Sequence, residues 1–272
     1  MSSARIHIPL LASLFIIGYG LLGVGNAYAQ QADNKASATR SAAEEVYHSC
    51  LASHKVLTVT DNPNTEAVTR IADQVIKGLK DYLHSRNDEK ALTGFSWEIS
   101  FIAETKQDAW CLPGGKVVVY AALLPLTQSD ASLAVVLAHE FAHILLKHGD
   151  ERMKKYLKTY LSKKDLSSAL VSDHRETLDF FRMAYGTGDY VGVIRGFDLS
   201  DEFAADELGA IIMAFAGYNP AEAIVFWERM GRLSGTSSQP VLVSTHPVTE
   251  KRLQKLRDVM DGIVSKYYHP PH

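Results

Sequence analysis

The stretch VVLAHEFAHILLKHG, residues 135–149, constrains this chain more than any other part of it. It is apolar on nearly every face, so a helix built from it has to be buried. Yet His139, Glu140 and His143 stand in its middle, and buried polar groups are costly unless paired. Positions four apart on a helix differ by about 40° around its axis, so both imidazoles project to one side. Two neutral imidazoles at that spacing can bind one zinc ion, with Glu140 beside them placed to accept a proton from water. The competing reading is a core helix with two satisfied histidines, but Glu140 would then need a buried partner of its own. His148 falls about 180° from His139 on a continuous helix. It is therefore left out of the metal site and expected to meet the carbonyls at the helix end before Gly149.

A zinc peptidase site needs a third protein ligand. The segment DLSDEFAADELGAIIMAFAGY supplies Glu202 and Asp206, which share a helix face with small Ala204 and Ala205 between them. Glu202 can reach the metal, while Asp206 accepts the free N–H of a ligand histidine and fixes its tautomer. Alternatively, Asp201 and Glu202 only complement the dipole of a helix capped by Ser200. The upstream histidine pair favours the ligand reading.

Around this segment the chain reads as α+β, mostly helical, with a small antiparallel sheet. Val68, Ile71, Val75, Leu79 and Tyr82 recur at helical spacing, and Phe95, Trp97, Ile99 and Phe101 alternate as in a strand. A Pro113–Gly115 turn separates a short strand from the run Val117–Tyr120. That run is expected to be an exposed sheet edge on which an extended substrate pairs by strand addition. Helices are expected over 129–163, within 165–184, and over 200–217, 220–233 and 248–264. The Gly-rich segment 185–199 reads as a lid over the site.

Residues 1–29 read as a secretory signal peptide: Arg5, an apolar run from about Ile8 to Val24, and Ala27-Tyr28-Ala29 before the expected cleavage point. An uncleaved membrane anchor is the alternative. Residues 30–60 read as a flexible or linking segment, and 61–272 as the functional domain. Cys50 and Cys111 are compatible with one disulfide in an oxidising compartment, or with two small buried thiols. With 28 Lys+Arg against 31 Asp+Glu and no block of one sign, nothing would neutralise a row of phosphates, so nucleic acid is not an expected partner. Apart from residues 8–25 the long apolar run is the zinc helix itself, interrupted by charge, which disfavours a membrane-embedded enzyme.

Several of these segments together resemble the M48 family of gluzincin metallopeptidases. The resemblance rests on His139-Glu140-Phe141-Ala142-His143, on Glu202-Phe203-Ala204-Ala205-Asp206, on AWCLPGGKVVVY before the zinc helix, and on His246-Pro247 with Arg252 after it. It covers most of residues 95–255 in the expected order. The chain departs from the family's usual pattern at Asp108, where Asn is usual, and at Ala122, where Gly is frequent. No tetratricopeptide-like repeat is recognised after residue 260.

The resemblance implies a zincin-type domain holding one zinc ion per chain through His139, His143 and Glu202. It implies Glu140 as general base and puts His246 and Arg252 at the catalytic centre. His246 is then either a fourth ligand that closes the site or a donor to the reaction's oxyanion. The expected function is a periplasmic zinc endopeptidase that hydrolyses unfolded or misassembled envelope proteins in protein quality control. Association with the outer membrane or its assembly machinery goes with that reading. The alternative is a latent, zinc-bound chaperone or assembly factor for periplasmic or outer-membrane proteins.

Overall fold

The computed structural model describes residues 14–163, 165–187 and 197–270, with side chains from residue 34 onward. The chain begins with a long helix, α1 (Leu14–Ser53). Where its side chains are described it is rich in Ala, the best helix former, and it buries Ala42, Ala43, Val46 and Tyr47 at helical spacing. Residues 30–53, read as part of a flexible or linking segment, lie within this helix. The short strand β1 (Lys55–Val56) precedes α2 (Asn64–Ser85), which buries Val68, Ile71, Val75 and Leu79 as their periodicity requires.

The sheet contains β2 (Glu98–Ala103), β3 (Ala109–Leu112) and β4 (Lys116–Tyr120) in the order β1-β2-β4-β3. It is mixed rather than antiparallel. The hairpin β3–β4 docks through its second strand, so β4 runs parallel to β2 with Ile99 opposite Val117 and Phe101 opposite Val119. Val117–Tyr120 is consequently an interior strand, buried at every position, and β3 forms the outer edge. The expectation of an exposed edge at β4 fails because its alternating residues fill two cores at once. Val117 and Val119 face one core, Val118 and Tyr120 the other.

A single turn, α3 (Leu124–Thr127), leads to α4 (Asp130–Leu145), where the Ser129 side chain caps the helix by accepting from the Ser132 amide at 3.1 Å. The chain then breaks. Lys147 takes a left-handed conformation (φ 61°) and α5 (His148–Tyr160) starts in a new direction, so the expected single helix over 129–163 is two. A second break at Asp173 separates α6 (Leu166–Ser172) from α7 (His174–Tyr185). There follow α8 (Leu199–Phe215), α9 (Glu222–Leu233), α10 (Val241–Thr245) and α11 (Glu250–Tyr267).

The sheet is a partition. One face packs on α2 and α4, with α8, α9 and α11 beyond them; the other packs on α1, α5, α6 and α7. Cys111 belongs to the first core, whereas Cys50 on α1 packs against the second. No disulfide joins them, against the disulfide expectation: the sheet stands between them. Among the described residues no single helix is long and apolar enough to cross a membrane. The expected lid falls largely on residues 188–196, and the start of the expected leader on residues 1–13, both outside the described residues.

Candidate metal centre

Helix α4 is buried on all sides from Ser132 to His143, and it carries His139, Glu140 and His143 to the centre of the helical layer. Helix α8 crosses it closely at Gly209. A Cβ there would lie 3.2 Å from the Cα and N of His139, so a larger residue would hold the two backbones apart. That approach brings Glu202 and Asp206 against the motif helix. The third contribution comes from the junction of α10 and α11. Leu242 N–H donates to the Gln107 carbonyl at 3.1 Å and His246 N–H to the Leu242 carbonyl at 2.9 Å, which pins the His246 ring over the cluster.

Four side-chain atoms converge. His139 Nε2 is 3.0 Å from His143 Nε2 and 3.1 Å from His246 Nδ1. Glu202 Oε1 lies 3.0 Å from His246 Nδ1 and 3.5 Å from His143 Nε2. His139, His143, Glu202 and His246 each offer an atom within 4.8 Å of the others. On the outer side, Asp206 Oδ1 sits 3.0 Å from His139 Nδ1. A carboxylate offers only lone pairs, so this contact keeps the His139 proton on Nδ1 and turns the Nε2 lone pair inward. Lone pairs of His139, His143 and Glu202 turned towards one point make a set that a cation would satisfy. A tetrahedral zinc with bonds of about 2.0–2.2 Å to nitrogen and oxygen separates its ligands by about 3.3–3.6 Å, close to these distances. The donor set fits the ion.

Arg252, with no solvent exposure, stands behind the Glu202 and Asp206 carboxylates. Its Nε and Nη2 donate to Asp206 at 2.6 and 2.8 Å, and Nη1 pairs with Glu202 Oε2 at 2.5 Å and donates to the His246 carbonyl at 3.2 Å. Glu140 reaches His246 instead, with Oε1 3.1 Å from Nε2.

The electrostatics follow from burial and charge. Burial alone would raise the carboxyls of Glu140, Glu202 and Asp206. The Arg252 guanidinium outweighs it for Glu202 and Asp206, and the His246 ring for Glu140, so all three lie below their ordinary values. Burial opposes charging of His246, but Glu202 and Glu140 on either side push it up to about 10. Burial drives His143 down to about 3, a neutral ring. Asp108, just before β3, is pushed up to about 8 by burial and by the Glu140 carboxylate.

His148 is not at a helix end facing carbonyls, as expected. The break at Lys147 makes it the first residue of α5, and its Nδ1 comes within 2.8 Å of His143 Nδ1. Sequence reasoning also missed two aromatic walls. Phe197 lies 4.1 Å from the His143 ring and 5.3 Å from the His246 ring; Trp227 lies 5.1 Å from His139 and 4.1 Å below the Arg252 guanidinium. Trp227 was legible only as an apolar position of an amphipathic helix, and Phe197 sits in an irregular segment without periodicity.

Fold and site together define a metallohydrolase domain of the HExxH-plus-glutamate kind, with a second-layer Asp–Arg pair holding the ligands. The sequence profile of Peptidase family M48 matches residues 73–260, and the chain belongs to that family. It is similar to the mitochondrial metalloendopeptidase OMA1 of Arabidopsis thaliana, 32% identical over 192 residues, 68% of this chain and 37% of that one. Its likeness to OMA1 of Schizosaccharomyces pombe is 29% over 201 residues, 72% of this chain and 53% of that one. The β-barrel assembly-enhancing protease of Escherichia coli is 28% identical over 159 residues, 56% of this chain and 32% of the relative. The chain thus spans about a third to a half of the length of these relatives.

Proposed function

We propose that this protein is a zinc endopeptidase of the cell envelope that cleaves extended segments of unfolded or misassembled proteins. The observation that carries the reading is the convergence of His139, His143 and Glu202 beside the buried, deprotonated carboxylate of Glu140. When bound, zinc supplies Lewis acidity to a water and to the scissile carbonyl. Glu140 accepts the proton and later delivers it to the leaving amine. Asp206 and Arg252 orient the ligands and balance their charge. Phe197 and Trp227 exclude water and strengthen the field inside the site. The envelope assignment is supported by the leader-like residues 1–29 and by similarity to a β-barrel assembly-enhancing protease.

A second reading has one specific observation in its favour. His246 touches Glu202, His139 and the Glu140 carboxylate together, so as a fourth ligand it would close the position that water needs. The protein would then be latent, or would serve as a zinc-bound chaperone or assembly factor.

The test is cleavage of an unfolded model protein by zinc-loaded wild type, Glu140→Gln and His246→Ala. Cleavage by wild type but not Glu140→Gln supports the peptidase with Glu140 as base. Cleavage appearing only in His246→Ala supports latency. Zinc binding without cleavage by any of the three supports the chaperone reading, and equal cleavage by Glu140→Gln removes Glu140 from the mechanism.

A further inference from the structure

The two motif histidines are backed unequally. Behind His139 stands the Asp206 carboxylate, itself locked by two bonds from Arg252. Behind His143 there is an imidazole: His148 Nδ1 lies 2.8 Å from His143 Nδ1, with the rings 4.9 Å apart and nearly perpendicular.

We propose that His148 is the positioning residue of His143, the acceptor that fixes its metal-binding tautomer. The inference rests on the zinc reading above. A neutral imidazole has one N–H and one lone pair. For His143 to present its Nε2 lone pair to a cation, its proton must sit on Nδ1. The contact with His148 then has one direction: His143 Nδ1–H donates, and the His148 Nδ1 lone pair accepts. The proton of His148 is thereby placed on Nε2, the atom that looks towards Asp201 Oδ1, 3.9 Å away. Behind His143 the contacts run through His148 towards Asp201, as behind His139 they run through Asp206 to Arg252.

The local fold is built for this contact. On a continuous helix His148 would lie about 140° from His143. The left-handed Lys147 resets the chain so that α5 begins under the ring instead. Gly149 then lets the Tyr185 ring lie where a Cβ would stand, so the start of α5 packs directly on α7. Because the acceptor is neutral, the hydrogen bond behind His143 is a weaker anchor than the carboxylate that stands behind His139.

The experiment measures zinc affinity of the full chain by competition with a chromophoric chelator, together with the visible spectrum of the Co2+-loaded protein. It compares wild type, His148→Ala and His148→Asn. The Asn Oδ1 stands where the imidazole Nδ1 does and accepts without a ring. Loss of the acceptor in His148→Ala is expected to weaken zinc binding roughly 10–100-fold and to shift the Co2+ bands, and His148→Asn to restore both. In zinc-loaded wild type, 15N NMR of the histidine side chains should find Nδ1 of His148 unprotonated and Nε2 protonated. That measurement stands even where a variant folds poorly. Unchanged affinity in His148→Ala, no rescue by Asn, or a proton on His148 Nδ1 overturns the proposal while leaving the zinc reading intact. A wild type that binds no zinc overturns both.

Discussion

Asp108 offers the sharpest physical test of the site. It is 2% exposed, its Oδ1 accepts from the Ala109 amide at 3.0 Å, and burial together with the Glu140 carboxylate pushes its carboxyl up to about 8. The folded value lies above the unfolded one of about 3.9, so the native state holds the proton more tightly than the unfolded chain. The stabilisation this represents is complete below about pH 4 and is lost as pH rises towards 8. Between pH 5 and pH 7 the loss is about 1.4 kcal/mol per pH unit, roughly 3 kcal/mol in all. Asp108→Asn has the same shape and no titration, so whatever it costs in packing is independent of pH. Urea unfolding of the zinc-free protein should therefore show the variant gaining about 3 kcal/mol on wild type from pH 5 to pH 7. In the Glu140→Gln background the gain should shrink, since the neighbouring charge that raises Asp108 is gone. Parallel stability profiles for Asp108→Asn and wild type across this range would mean that Asp108 is ionised in the fold, and the reasoning about its surroundings would fall.

Two further outcomes are expected. Gly209→Ala forces α8 away from His139, so it should cost about 1–3 kcal/mol of overpacking and weaken zinc binding tenfold or more; unchanged melting and affinity would remove Gly209 from the argument. Arg252→Leu leaves Glu202 and Asp206 as buried carboxylates without their cation. A loss of about 3–5 kcal/mol is expected without zinc and a smaller one with it, read as melting in chelator against melting in zinc. Equal losses would mean that zinc and Arg252 do not share those charges.

Much of the site was legible in the sequence because it is written in short range. A spacing of four on an apolar helix determines that His139 and His143 share a side, and the same spacing pairs Glu202 with Asp206. The amphipathic α2 is likewise local, set by which face of the helix must leave water. What lies between elements was not legible. Only the tertiary structure decided that β4 is inside the sheet and β3 at its edge, because strand order depends on which strand of a hairpin docks. It decided that Cys50 and Cys111 stand on opposite faces of that sheet. It decided the neighbours of Arg252, whose charge lies against carboxylates from another helix. It also placed His148 under His143, because one left-handed residue redirects a chain that periodicity alone would continue. The residues that can hold a metal were determined by the sequence; the partners that hold those residues in place were decided by packing, where side chains distant in the chain exclude water together.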